Sequence, residues 1–448
     1  MTELKIYRGA NKIGGGCTEV TVGGERLLID FGANLPNADN DAALKDEEMA
    51  AKVFDGRPAA AVLFTHYHGD HYGLYKEIPA DVPMYIGPLA KQILQVLVPR
   101  LDHQAEVKGA PIVEKMRTYN ARHWHTLSPN FSVLPLYVDH SALDAYMLYI
   151  NAGGKKILFT GDFRDHGIQS ERGQLWKALE YYVVPGGVDV LITEGTMLSR
   201  LEEARKNPIR TERELGRAAL EKFREHKYNF VMLSSTNLDS IMMFYHHTPQ
   251  GMLFICDSYQ AKMMLTAMKG MENKERYWYQ RSRYQDTIYI WSGRDGEMTK
   301  LEQMGAALAK PIRILPADGG MMSRKGFVFL TRKNFSPAHW PALEKFFPLD
   351  GSRDAQFIYS MWTGYLKGKY KDEKLLQALG GRETKPLHVS GHAYVETIAR
   401  LIETVQPKKI VPMHTECAKQ FKDFPEFARW KDRVRPLEDG EVLPLDTL

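Results

Sequence analysis

"FTHYHGDHYGL", residues 64–74, places His66, His68, Asp70 and His71 within six positions, directly after the apolar run "AAAVLF". His66 and His68 are two apart, so both imidazoles project to one side of an extended strand end. Asp70 and His71 follow where the chain turns, and Gly69 and Gly73 suit a tight turn there. Imidazole with carboxylate is a donor set for Zn²⁺ and similar ions. The pattern therefore predicts a metal site in which one strand end serves two neighbouring positions. Further ligands must come from elsewhere, and His140, Asp162 and His414 each end an apolar strand-like run. A bridging carboxylate is the natural role for Asp162, in "LFTGDF". Two ions about 3.5–4 Å apart would hold a hydroxide between them and clamp an in-line displacement at phosphorus. Zn²⁺ fits this imidazole-rich set, and Mn²⁺ would use the same residues.

The other histidines read as surface or satisfied core. They include His123 and His125 of "RHWH", which copies the spacing without the Asp-His continuation. With 448 residues, 44% hydrophobic and 25% charged, the chain has the composition of a soluble globular protein of two or three domains. It holds no apolar run near the ~20 residues a bilayer needs, and "MTELKIYRGA" is no signal peptide, so no membrane partner is expected. Cys17, Cys256 and Cys417 are distant and odd in number, which points to a reducing cytoplasm and excludes a Cys-rich zinc ribbon. The net charge of +4 names no partner. Residues 201–360 carry about +6 of it and the remainder about −2, a weak lean of the middle toward a polyanion.

The first 200 residues read as short strands broken by Gly, Pro and Asp, with one helix in "PLAKQILQVLVPRL". Apolar strands repeatedly end in a His, Asp or Glu: His66, His140, Asp162, Glu194. Strand ends are rigid mounts from which side chains can converge. From about 205 the pattern becomes alternating helix and strand, through "TERELGRAALEKFREH", "NFVMLSST", "LDSIMMFYHH", "GMLFICD", "SYQAKMMLTAM" and "IRILPA". This predicts a parallel sheet with flanking helices. After about 365 the earlier style returns with "LHVSGHA", the helix "VETIARLIETVQ" and "KKIVPMHTE". The expected organisation is α/β, with one domain (1–200 and 366–448) interrupted by another (201–365).

The histidine motif resembles the metallo-β-lactamase superfamily. That resemblance implies an αββα sandwich with a dinuclear site at one edge. Position by position, it implies that His66, His68 and His140 bind one ion, that Asp70, His71 and His414 bind the other, and that Asp162 bridges. It assigns Asp30, in "LLIDFG", to orienting the cluster. The insertion, flanked by "ITEGT", "SGHA" and "VPMHTE", is similar to the β-CASP branch, whose members cut RNA or DNA. Glu194 matches its first additional motif, His392 its second and His414 its third. "HYHGDHYG", "DHSALDAY", "GDFRDHG" and "SGHA" most resemble RNase J. The resemblance implies catalytic roles for Asp70, for His392 near the phosphate and for Glu194 in holding a histidine.

Two stretches depart from that family. A Gly-Ser-Gln-Gly-Glu stretch that helps build its 5′-monophosphate pocket is replaced by "YSMWTGY", 359–365, where Ser360 and Gly364 remain. The sequence ends about 30 residues after His414, without the additional C-terminal domain of bacterial RNase J, and homo-oligomerisation is left open. Expected substrate contacts are Ser234, Ser235 and Asn237 of "SSTN", where a strand meets a helix, together with Ser360, Ser390 and His392. "RYWYQRSRY", 276–284, interleaves cations with rings in a manner suited to single strands, and "SRKG" and "TRK" add positive charge. The expected function is a metal-dependent nuclease acting on single-stranded RNA. A DNA-processing nuclease, or a hydrolase of a small phosphodiester, lactone or thioester, is the alternative.

Overall fold

The computed structural model describes residues 1–35, 44–102, 105–171, 173–271, 285–305, 308–334, 343–346 and 354–447. The aromatic and basic stretch 276–284 lies outside them. The chain divides into two compact units, one formed by Met1–Pro208 with Gly391–Leu448 and the other by Ile209–Ser390. Against the sequence-based boundaries near 200 and 365, the second unit begins about eight residues later and ends about 25 later. It keeps the helix Glu373–Leu379 and the short strand Lys385–Pro386, which pairs with Ala355–Tyr359.

The first unit is a two-sheet sandwich. One sheet runs Val442–Pro444, Thr2–Arg8, Cys17–Val22, Glu25–Ile29, Ala61–Leu63, Met84–Ile86, Arg117–Thr118. The other runs Lys409–Met413, Val190–Glu194, Lys155–Phe159, Ala145–Ala152, Phe131–Val138, His125–Thr126. The period-2 alternation of the strands builds both cores. In Phe131–Val138, Phe131 and Val133 face the first sheet, joining Leu4, Ile6, Val20, Leu27 and Leu63. Leu134, Leu136 and Val138 face the other way and meet residues of the helices Gln174–Ala178 and Val395–Val405. Strands buried on both faces read as the near-continuous apolar runs seen in the sequence.

Strand direction positions the site. Lys155–Phe159, Val190–Glu194 and Lys409–Met413 are mutually parallel. Phe131–Val138 reaches the same direction through two antiparallel pairings. All four therefore end at one edge of their sheet, where Asp162, Glu194, His414 and His140 follow.

The second unit is a seven-stranded, all-parallel sheet in the order Lys310–Ile314, Thr287–Trp291, Leu253–Cys256, Phe327–Thr331, Tyr228–Met232, Ala355–Tyr359, Lys385–Pro386. Its helices start where capping residues dictate. Thr211 and Glu214 form a reciprocal capping box before Glu212–Glu225, and Asp257 and Gln260 do the same before Ser258–Gly270. Among the described residues no helix is long and apolar enough to cross a membrane.

One cap comes from a distant part of the chain. The helix Pro88–Leu101 has no side-chain cap of its own, and Asp144 Oδ2 instead accepts from Leu89 N and Ala90 N at 2.7 and 3.1 Å. Asp144 adopts a left-handed φ of 66°, which Asn and Asp tolerate better than other side chains. Asp144→Ala should lower the unfolding midpoint in urea, by about 1–2 kcal/mol in stability, and Asp144→Asn should lower it less.

Candidate metal centre

The "HYHGDH" loop is held by backbone, not by its own strand. Phe31 N donates to His71 O (2.8 Å), Ala33 N to Gly69 O (2.9 Å) and Gly16 N to Asp70 O (3.1 Å). This clasp requires Gly32, because a Cβ there would lie 1.7 Å from Asp70 O. Within the loop, Asp70 and His71 sit on a single helical turn, Gly69–Tyr72, with His68 at its N-cap.

The donors converge in two overlapping groups. His66, His68 and His140 offer atoms within 4.8 Å of one another, and so do Asp70, His71 and His414. Asp162 stands between the groups, its Oδ2 lying 3.9 Å from His66 Nε2, 3.9 Å from His140 Nε2 and 3.2 Å from His71 Nε2. Its Oδ1 is 3.5 Å from His414 Nδ1. His68 Nδ1 lies 3.2 Å from His140 Nε2, and His414 Nε2 lies 3.2 Å from Asp70 Oδ2. His66 Nε2, His71 Nε2 and Asp162 Oδ1 are buried without a hydrogen-bond partner. Buried polar atoms are otherwise nearly always satisfied, so three orphans facing one another fit a divalent cation.

The imidazoles of His66, His71, His140, His414 and His392 are each fixed from behind. Asp30, itself at a left-handed φ of 58°, meets His71 Nδ1 at 2.7 Å and accepts from Thr65 N at 2.8 Å and from Thr65 Oγ1 at 2.9 Å. Thr65 Oγ1 also lies 3.1 Å from His66 Nδ1. His140 Nδ1 donates to Gly391 O (2.6 Å), and His414 Nδ1 meets Thr196 Oγ1 (2.8 Å). Glu194 accepts from Phe163 N at 2.9 Å and meets His392 Nδ1 at 3.1 Å. His392 is 23% exposed, so one edge of its ring stays accessible to a substrate.

A buried ion pair ties two of the donor-bearing loops together. Arg164 Nε donates to Asp139 Oδ1 (2.9 Å), while Ser170 N and Oγ donate to Asp139 Oδ2. Asp139 immediately precedes His140, and Arg164 follows Asp162 by two residues. Thr65, Thr196, the Gly391 carbonyl and this ion pair were not singled out from sequence. Hydroxyls and backbone oxygens carry no spacing signal, although the adjacency of Thr65 to His66 and of Asp139 to His140 could have flagged two of them.

Burial pushes His66 and His140 well below the ordinary imidazole range, with neighbouring imidazoles adding to it, and lowers His68 to about 4. These three are neutral near pH 7, their lone pairs available to a cation. Burial opposes charge on His71 too, but Asp162, Asp30 and Asp70 outweigh it and raise that imidazole. Burial likewise works against the Asp162 carboxylate, yet His414, His71 and His392 hold it well below the usual range. His392 is raised despite burial, by Glu194 and then Asp162.

His123 and His125 lie apart from the cluster. His125 Nε2 accepts from Asn120 N (2.9 Å), and His123 is exposed and bonded to Ala121 O. The expected substrate contacts belong mostly to the second unit. Asn237 caps the helix Leu238–His247 through Ser240 N (3.2 Å), and Ser234 Oγ bonds Thr236 Oγ1 (2.7 Å). Ser235 and Ser360 leave adjacent parallel strands and bury hydroxyls without a hydrogen-bond partner. Ser390 is half-buried before Gly391. In "TRK", Arg332 pairs with Asp257 and Lys333 with Asp372, whereas Arg324 and Lys325 of "SRKG" are exposed.

The first unit is a sandwich whose strand ends gather imidazoles and carboxylates at one edge, and residues 14–171 match the family model of the metallo-β-lactamase superfamily. The matches are consistent with an RNase J-like protein of the β-CASP branch. Residues 383–423 match the "Zn-dependent metallo-hydrolase RNA specificity domain". Ribonuclease J proteins of Helicobacter pylori, strains B128 and 26695, are each 22% identical over 438 residues, covering 91% of this chain and 55% of theirs. The chain thus spans about half the length of the curated relatives it matches. A crystal structure of a protein of unknown function from Enterococcus faecalis V583 shares the fold, with a TM-score of 0.68, 19% identity and 99% of each chain covered.

Asp30→Asn keeps the left-handed backbone but weakens the hold on His71. Metal affinity, measured by competition with a chelator, should fall about 10–100-fold. Chelator-stripped protein should lose stability as the pH drops from about 6.5 toward about 4. In that window the unfolded chain binds protons that His66, His68 and His140 refuse, while the raised His71 and His392 are protonated in both states. The melting temperature followed across that range checks the sign.

Proposed function

We propose that this chain is a two-metal nuclease that hydrolyses phosphodiester bonds of single-stranded RNA. The observation that carries the reading is the double donor set around Asp162 with a partly exposed, carboxylate-aligned histidine beside it. The RNA-specificity match and the Ribonuclease J relatives support RNA as the strand. His66, His68 and His140 would hold one cation, Asp70, His71 and His414 the other, with Asp162 between them. Zinc suits this imidazole-rich set, and manganese can use the same donors. Two divalent cations there would lower the pKa of water and neutralise charge at phosphorus.

The chain's own residues do the rest. Asp30, Thr65, Thr196 and the Gly391 carbonyl fix which ring nitrogen His71, His66, His414 and His140 present. Glu194 accepts the Nδ1 proton of His392 and so turns Nε2 toward the accessible side. The raised proton affinity of His392 keeps a proton at Nε2 near neutral pH, for a non-bridging oxygen or the departing 3′ oxygen. In the second unit, the unpartnered hydroxyls of Ser235 and Ser360 and the helix start at Asn237, together with Ser234 and Ser390, are the proposed contacts for strand phosphates.

Single-stranded RNA carrying a 5′ or a 3′ label, digested with added Zn²⁺ or Mn²⁺, tests this. Wild type should cut it, His68→Ala should not, and His392→Ala should lose about 10²-fold in rate with its metal content unchanged. If the wild type holds two metals and leaves RNA intact, the ribonuclease reading fails.

A further inference from the structure

In the 14-residue helix Glu212–Glu225, Gly216 occupies an interior position, where glycine is disfavoured relative to alanine. Its backbone is ordinary helix, so no turn requires it. The reason lies across the groove: a Cβ on residue 216 would sit 2.4 Å from His247 Cε1 and 2.8 Å from each ring nitrogen. The missing side chain seats the His247 imidazole against the helix. His247 Nδ1 donates to Met243 O at 2.9 Å, which fixes the ring and leaves Nε2 as its free edge. Arg213 and Arg217, one turn apart on the same helix face and both exposed, join His247 and Met243 around a cavity of about 190 Å³. That is several times the ~30 Å³ share of one water molecule.

The charged side chains that line this cavity, Arg213 and Arg217, are both cationic. Among the described residues no carboxylate pairs with Arg217 within salt-bridge distance. Glu214, one turn of helix away, is turned toward the helix start, where it accepts from Arg210 N (2.8 Å) and Thr211 N (3.0 Å). Burial and then Arg213 depress protonation of His247, the cost of gathering like charges. Three carbonyls near the end of the helix Leu238–His247 already accept hydrogen bonds: Met243 O from His247 Nδ1, Phe244 O from Thr248 Oγ1 (2.7 Å), Tyr245 O from Thr248 N (3.4 Å). What remains is a small concave surface offering guanidinium donors and a fixed imidazole. Guanidinium forks match phosphate oxygens with paired hydrogen bonds.

We infer that Arg213, Arg217 and His247 form a phosphate-binding site in the second unit, with Gly216 as the cut-out that seats the imidazole. The phosphate comes either from the backbone of a nucleic-acid strand or from free phosphate. Only the first source rests on the ribonuclease reading.

Two measurements separate these outcomes. Imidazole nitrogens of ¹⁵N-histidine-labelled protein, with His247 assigned through His247→Gln, are followed by NMR as millimolar inorganic phosphate is added. The site predicts a saturable shift of His247 that is lost in Arg217→Gln and partly retained in Arg217→Lys. A His247 signal that does not respond in the wild type overturns the proposal. In the cleavage-deficient His68→Ala background, RNA affinity is then measured against salt with and without Arg213→Gln/Arg217→Gln. If the strand supplies the phosphate, the log–log slope should shrink by about 0.7, the share of a single phosphate that is no longer neutralised. An unchanged slope with the His247 response intact assigns the site to free phosphate. Absence of any RNA binding by His68→Ala counts against the ribonuclease reading alone, and the His247 response still decides the site.

Discussion

Everything in the first unit answers to one electrostatic constraint: several imidazoles and two carboxylates must be held nearly in contact, out of water. Left to themselves, such groups would take up protons, spread apart or draw in solvent. The fold prevents this by mounting them on parallel strand ends and clasping the "HYHGDH" loop with backbone hydrogen bonds from residues 16 and 31–33. The Asp139–Arg164 pair joins the loops that carry His140 and Asp162. The orphaned atoms at the centre face one another, an arrangement that a divalent cation would satisfy.

The same constraint explains why Asp30 and His414 accept left-handed backbone at φ of 58° and 50°. Non-glycine residues take that conformation at a cost, and it persists where the surroundings over-determine it. Asp30 reaches His71 and both polar groups of Thr65 at once, so one strained residue orients two imidazoles. Glu194 works similarly, holding the Phe163 amide and His392 with one carboxylate.

Much of this was legible in the sequence. The His-x-His-x-Asp-His spacing picks out four of the residues that the structure brings together, and the rule that apolar strands end in chemistry-bearing residues points to His140, Asp162, Glu194 and His414 in the same cluster. Both rest on backbone geometry that propagates from sequence without tertiary knowledge. The helices "PLAKQILQVLVPRL" and "LDSIMMFYHH" coincide with Pro88–Leu101 and Leu238–His247, because proline or asparagine marks their starts. The edges of the second unit were not legible. Residues 366–390 add one short strand and one short helix to its parallel sheet, and local pattern does not say which sheet a two-residue strand joins. The paired strand Lys385–Pro386 lies just before "LHVSGHA", whose Leu387 N donates on to Tyr359 O (3.0 Å). Thr65, Thr196 and the Gly391 carbonyl act purely through position in space, which a single sequence does not record.

The proposed nuclease chemistry depends on a two-cation site at the cluster around Asp162. X-ray absorption at the zinc edge of protein loaded with two equivalents tests it most directly. Imidazole-rich coordination and a metal–metal vector of about 3.5–4 Å are expected, both abolished when His68 and His71 are replaced. A single bound ion per chain, or two ions with no metal–metal vector, would contradict it.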